Sequence, residues 1–91
     1  VMRILQVVKT SEGAFWAVRQ VVELVRLGLD VHVVLPVESG AAIEAWKNSG
    51  AHLHFLDCSL PLNKPWKMSA SAYAIHRVVS EIKPDIIHSH S

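Results

Sequence analysis

His88 and His90 stand two residues apart, with Ser89 between them and Ser91 after, in the stretch Lys83-Pro84-Asp85-Ile86-Ile87-His88-Ser89-His90-Ser91. Imidazoles titrate near neutrality and can donate hydrogen bonds to an oxygen that is gaining negative charge, so this pair is suited to transfer chemistry. On a strand, residues two apart point to one face. Pro84 cannot continue a helix, and Ile86-Ile87 begins a short apolar run that turns polar at His88. In open α/β sheets ligands sit just outside the carboxyl ends of the strands, which makes this polar end a candidate site. Two other readings compete. One is a hydrogen-bonded structural histidine; the other is zinc, which is set aside because the motif offers no third protein ligand.

A second candidate lies in Lys9-Thr10-Ser11-Glu12-Gly13. Thr10 and Ser11 carry hydroxyls that can hydrogen-bond a polar ligand, and Gly13, entering a helix, can bring backbone N–H groups to an anion. The local readings are a helix cap for the hydroxyls and a simple turn for the glycine, since no G-x-G-x-x-G pattern is present. His52 and His54 also share one strand face, expected to be the solvated face of an edge strand.

These groups need a scaffold. Arg3 to Val8 is nearly continuous in apolar character and too short for a helix, which predicts a first, doubly covered strand. Phe15, Val18, Val22, Val25 and Leu29 recur at helical steps and mark a buried stripe, with Arg19, Gln20, Glu23 and Arg26 opposite, Arg19 and Glu23 spaced to pair, and Gly28 closing the helix. Asp30 to Pro36 predicts a second strand. A short helix through Asn48, with Ser39 as its N-cap and Ile43 and Trp46 facing inward, is followed by Gly50 and a third strand from His52 to Leu56. A loop from Asp57 leads to a helix over about Pro65 to Ile82 whose buried stripe is Met68, Ala72, Ile75, Val79 and Ile82. The fourth strand follows Pro84. The order β-α-β-α-β-α-β predicts a Rossmann-like, doubly wound α/β fold with parallel strands in the order 3-2-1-4. The turn after the first strand and the histidines ending the fourth then face each other across one crevice.

Composition narrows the classes. With 51% hydrophobic residues in 91, the chain can bury a core, and its apolar content suits one partial domain, residues 1–91, of something larger. Nine Lys and Arg against eight Asp and Glu, with no basic block, disfavour nucleic acid. Cys58 is the sole cysteine, which excludes an internal disulfide and fits a reducing compartment. No apolar run approaches the roughly 18 residues of a membrane span. In Met2-Arg3-Ile4-Leu5-Gln6-Val7-Val8, Gln6 interrupts and Lys9 closes the apolar stretch, so it is not read as a signal peptide.

Three passages together carry a resemblance: Met2-Arg3-Ile4-Leu5, Gly28-Leu29-Asp30-Val31-His32-Val33, and Lys83-Pro84-Asp85-Ile86-Ile87-His88-Ser89-His90. In this order and spacing the chain resembles, over its whole length, the N-terminal domain of GT-B fold retaining glycosyltransferases of the family 4-like, group 1 type. The resemblance implies a truncated acceptor-side half of a two-domain enzyme, with a nucleotide sugar held by a C-terminal donor domain and a glycan or lipid-linked acceptor held here. It implies polysaccharide-type biosynthesis in the cytoplasm, no cofactor, and no activity for this chain alone. His88 and His90 are the expected catalytic residues, and Thr10, Ser11, Gly13 and Ser89 the expected substrate-binding ones, with no metal. The family's first loop usually carries a glycine pair; here only Gly13 is present, preceded by Glu12, whose carboxylate would repel an anion.

Two other classes share the architecture: a nucleotide-sugar epimerase of the same two-domain shape, and a non-catalytic flavodoxin-like module. The absence of an acidic cluster after the first strand argues against a phosphoryl-receiver form of the latter. Lys64-Pro65-Trp66-Lys67 sets an aromatic between lysines, a composition that can touch the inner face of an anionic membrane, or simply pack on its own helix. The unprotected strand from Asp85 to His90 is expected to recruit a second copy, giving a homodimer through the sheet edge or through helices.

Overall fold

The computed structural model describes residues 1–8, 15–36, 38–56 and 65–90, for residues 65–72 and 90 the backbone alone. The elements are β1 (Arg3–Val8), α1 (Phe15–Arg26), β2 (Asp30–Leu35), α2 (Ile43–Lys47), β3 (His52–Phe55), α3 (Pro65–Ile82) and β4 (Ile86–His90). The four strands form one sheet in the order β3-β2-β1-β4, and all three ladders are parallel. The sequence of elements and the 3-2-1-4 order are those expected from right-handed crossovers.

Strand alternation assigns the faces. Val8, Val31, Val33 and Leu35 pack with Ala17, Val18 and Val21 of α1 and with Ile43 and Trp46 of α2. Leu5 and Val34 turn the other way, with Val7 beside them, and meet Ile75, Val78, Val79 and Ile82 of α3. Each fully buried aliphatic contributes about 1.5–3 kcal/mol, so these two layers, rather than helix propensity, hold the valine-rich α1 in place.

The α1 stripe is the expected one except at its start: Val18 is buried and Val22, Val25 and Leu29 pack against the core, but Phe15 does not. Ala17, Val18 and Val21 are buried while Phe15 and Trp16 are about half exposed. Glu23 pairs with Arg26 at 2.8 Å, not with Arg19. The helix closes as expected at Gly28, whose φ of 87° allows its N–H to reach Val25 O while the N–H of Leu29 reaches back to Leu24 O.

The second helix is shorter than expected. It begins at Ile43, its N-cap position is Ala42, and no side chain caps it. Ser39 is therefore not the cap; the chain passes through Gly40, at φ 137°, and the Gly40 carbonyl accepts from the N–H of Ile43. Ile43 and Trp46 do face inward, as the pattern required. Along α3, Ile75 and Val79 are partly buried, Ile82 is buried, and His76, Arg77, Ser80 and Glu81 are exposed; Met68 and Ala72 fall where side chains lie outside the described residues. The helix stops at Ile82, and Lys83 closes it in the left-handed region at φ 53°, its N–H donating to Val79 O.

Arg3 fastens the amino end of the sheet. Its Nε donates to Asp30 Oδ2 at 2.8 Å and its Nη1 to the carbonyl of Ile82, where a cation complements the helix C-terminus. Its own backbone N–H donates to Asp85 Oδ2 at 2.7 Å, and its carbonyl accepts from the N–H of Asp85. One residue thus joins β1 to β2, to the end of α3 and to the entry of β4.

Gly28 and Gly50 allow a matched experiment, since both have φ near 90° (87° and 89°) but only Gly50 has a neighbour where a Cβ would go, Val25 Cγ1 at 3.0 Å. Gly28→Ala is expected to lose about 1–2 kcal/mol for the left-handed backbone alone. Gly50→Ala should lose more, and adding Val25→Ala should shrink the excess, as read from urea midpoints. Equal losses for the two glycines would show that contact with α1 plays no part at Gly50.

Candidate functional site

In the 3-2-1-4 sheet the chain reverses its direction of growth between β1 and β4, and at such a switch point the carboxyl ends of neighbouring strands leave a crevice. The ladder there sets Gln6 opposite His88, Val7 opposite Ser89 and Val8 opposite His90. His88 and Ser89 are exposed, while Gln6 is buried at 2% exposure, a polar amide in the floor beside the strand end. Apolar pairing along Ile4–Ile86 and Leu5–Ile87 holds β4 in register, and the polar residues then emerge where the apolar run ends. Thr10, Ser11 and Gly13 lie outside the described residues; the strand that leads to them ends at Val8, beside His90. Gly28 and Gly50 precede β2 and β3 and so sit at the opposite, amino end of the sheet.

A groove of about 220 Å³ opens between the carboxyl end of β3 and α3, lined by Leu56, Tyr73, Ala74, Arg77, Val78 and Glu81. Tyr73 is 65% exposed there, so its ring presents a face to anything in the groove. No single stretch of sequence points to this groove, because Leu56 and the α3 residues meet only after the sheet has formed.

A family profile described as glycosyl transferase 4-like matches residues 3–91. The chain belongs to the glycosyl transferase 4-like family. The crevice between β1 and β4 is accordingly the candidate functional site of a glycosyltransferase-type domain. No curated protein and no solved structure gave a match. Among the described residues of this glycosyl transferase 4-like chain, no helix is long and apolar enough to cross a membrane.

A second polar cluster sits on the α3 face at the amino ends of β2 and β3. Asp30 Oδ1 is 3.3 Å from His32 Nε2 and 3.5 Å from His52 Nε2, and His32 Nδ1 is 3.0 Å from His54 Nε2. The rings of His52 and His54 both stack on His32, with centroids 4.6 and 5.2 Å away. The expected solvated edge face holds for His52, which is exposed; it is corrected for His54, which is partly out of water, and parallel pairing places His52 beside His32.

Electrostatics in this cluster follow from burial and charge. Removal from water lowers the pKa of His32, a loss that the Asp30 carboxylate partly offsets; His54 is lowered by the same removal and by the neighbouring imidazoles, against a small opposing pull from Glu81. Both shifts favour the neutral ring. Asp30 is held below the ordinary carboxylate value, first by its hydrogen bond from Arg3. The signal that could have revealed the cluster is Asp30-x-His32 on one strand and His52-x-His54 on its expected neighbour.

Proposed function

We infer that this chain supplies the acceptor-side wall of a retaining glycosyl transfer, from a nucleotide-sugar donor to a glycan or lipid-linked acceptor. The observation that carries the reading is the switch-point crevice of a glycosyl transferase 4-like chain, bordered by His88 and Ser89. In the proposed reaction the bond between the donor's anomeric carbon and the phosphate oxygen breaks. The acceptor oxygen bonds to that carbon on the face the leaving group vacates, the nucleotide departs with the electron pair, and the acceptor's hydroxyl proton passes to the departing phosphate oxygen. His88 and His90 donate hydrogen bonds to sugar hydroxyls or to the departing phosphate, where developing charge rewards a fixed donor. Ser89, Thr10, Ser11 and Gly13 hold sugar hydroxyls and backbone-facing oxygens nearby. The donor is gripped mainly by a second domain across the cleft, in the two-domain GT-B arrangement, and 1–91 is one partial domain of it.

The reading is supported by the character of the crevice. A cleft that grips a nucleotide sugar needs concave contacts on both sides, and the described residues supply one. Calorimetric titration of the 91-residue chain with common nucleotide sugars is therefore expected to show no micromolar isotherm. A saturable micromolar isotherm that disappears in His88→Ala would place donor binding on this wall and overturn the division of labour proposed here.

A further inference from the structure

The Asp30–His32–His52 cluster lies at the amino ends of the strands, away from the crevice, and the transfer chemistry above makes no use of it. One ligand atom from each of the three residues lies within 4.8 Å of the others. A tetrahedral ion with ligand bonds of about 2.0–2.1 Å separates its ligand atoms by about 3.3–3.4 Å. The two distances to Asp30 Oδ1, 3.3 and 3.5 Å, match that spacing. They are also longer than the roughly 2.7–2.9 Å of a charge-assisted hydrogen bond. The other oxygen of the same carboxylate shows the contrast, since Arg3 Nε approaches Oδ2 to 2.8 Å.

We propose that Asp30, His32 and His52 form a site for a borderline divalent cation of the zinc class, with water in the fourth position. Two imidazoles and one carboxylate are a donor set that such ions favour. His52 is exposed on the edge strand, so its ring can swing to close the third side of the triangle. The outer contacts are already in place. Coordination through His32 Nε2 leaves Nδ1–H to donate to His54 Nε2, which stands 3.0 Å away, and Arg3 fixes the orientation of the carboxylate. In the metal-free chain the same hydrogen bonds can run in reverse, from His54 Nε2–H to His32 Nδ1 and from His32 Nε2–H to Asp30. The ion replaces the second of these protons, and His54 takes one up at Nδ1, so the proton count is unchanged.

Arg3 also limits the affinity, because its positive charge lies one carboxylate away from the ion; micromolar binding is expected. The role is structural. β3 has four residues and, among the described residues, pairs only with β2, so an ion shared by His32 and His52 would fasten this edge strand from its side-chain face.

The test uses the 91-residue chain stripped with a chelator and titrated with zinc chloride. One equivalent should bind with micromolar affinity and raise the melting temperature, and cobalt(II) in its place should give the intense visible band of tetrahedral coordination. His52→Ala, exposed enough to leave the circular dichroism unchanged, should weaken binding by at least about 100-fold, and His54→Ala, which removes an outer contact, by about 10-fold. His76→Ala, on the exposed face of α3, is the control and should bind like the parent. Absence of saturable binding, or His52→Ala binding as tightly as the parent, would overturn the site and leave the cluster as a set of strand-joining hydrogen bonds.

Discussion

Trp46→Ala is expected to lose about 3–5 kcal/mol, a large share of the stability of a domain of this size. Trp46 is fully buried, sits on the five-residue α2, and is the largest side chain in the core shared by α1, α2 and the sheet. Truncating a buried tryptophan removes its transfer free energy and leaves a cavity, together about 3–5 kcal/mol. A domain of this size has only about 5–14 kcal/mol in total. The short helix would then rest on Ile43 and its neighbouring alanines, with no side chain capping its start. The indole Nε1 is buried with no hydrogen-bond partner among the described residues, an arrangement that costs about 1–3 kcal/mol in its own right. Trp46→Phe, which keeps most of the apolar volume and deletes that orphan donor, should therefore lose far less than the alanine variant. Urea denaturation followed by circular dichroism measures both; similar midpoints for the two variants would mean that the loss is not one of packing volume.

The second large effect concerns the free side of β4. Among the described residues β4 pairs only with β1, and Ile86 and Ile87 are 47% and 54% exposed. No proline or lysine interrupts the strand from Ile86 to His90, so its side away from β1 lacks the usual protection against another strand. We expect two copies to join β4 to β4, antiparallel about a two-fold axis, extending the sheet across both chains. By light scattering behind a sizing column, the chain should run as a dimer or larger species at tens of micromolar, roughly where modest interfaces saturate. Ile87→Lys places a charge on that edge and should return it to the monomer. A parent chain that stays monomeric at this concentration, or an Ile87→Lys variant that still dimerises, would move the contact elsewhere or remove it.

The sequence by itself determined the order of elements, the class of fold and the strand order. Apolar runs of strand length alternate with helical stripes, and once they do, right-handed crossovers leave few arrangements open. It also determined the end of α3, because Pro84 stops a helix whatever surrounds it, and the closure of α1, because Gly28 supplies a left-handed residue cheaply. These are local effects, carried by a few residues each. The polar end of β4 was legible for the same reason, as an apolar run that becomes His88-Ser89-His90 within one strand.

Only the tertiary structure decided the rest. Phe15 fits the helical stripe of α1 by spacing, yet in the folded chain it is about half exposed while Ala17 and Val21 are buried. Ser39 is a good cap in isolation, yet the chain enters α2 through Gly40 because Ile43 and Trp46 had to reach the core. Asp30, His32, His52 and His54 look like ordinary polar residues of two separate strands. Their chemistry appears only when parallel register sets His52 beside His32, and a register is a property of pairing between distant segments, which neither strand's pattern states alone.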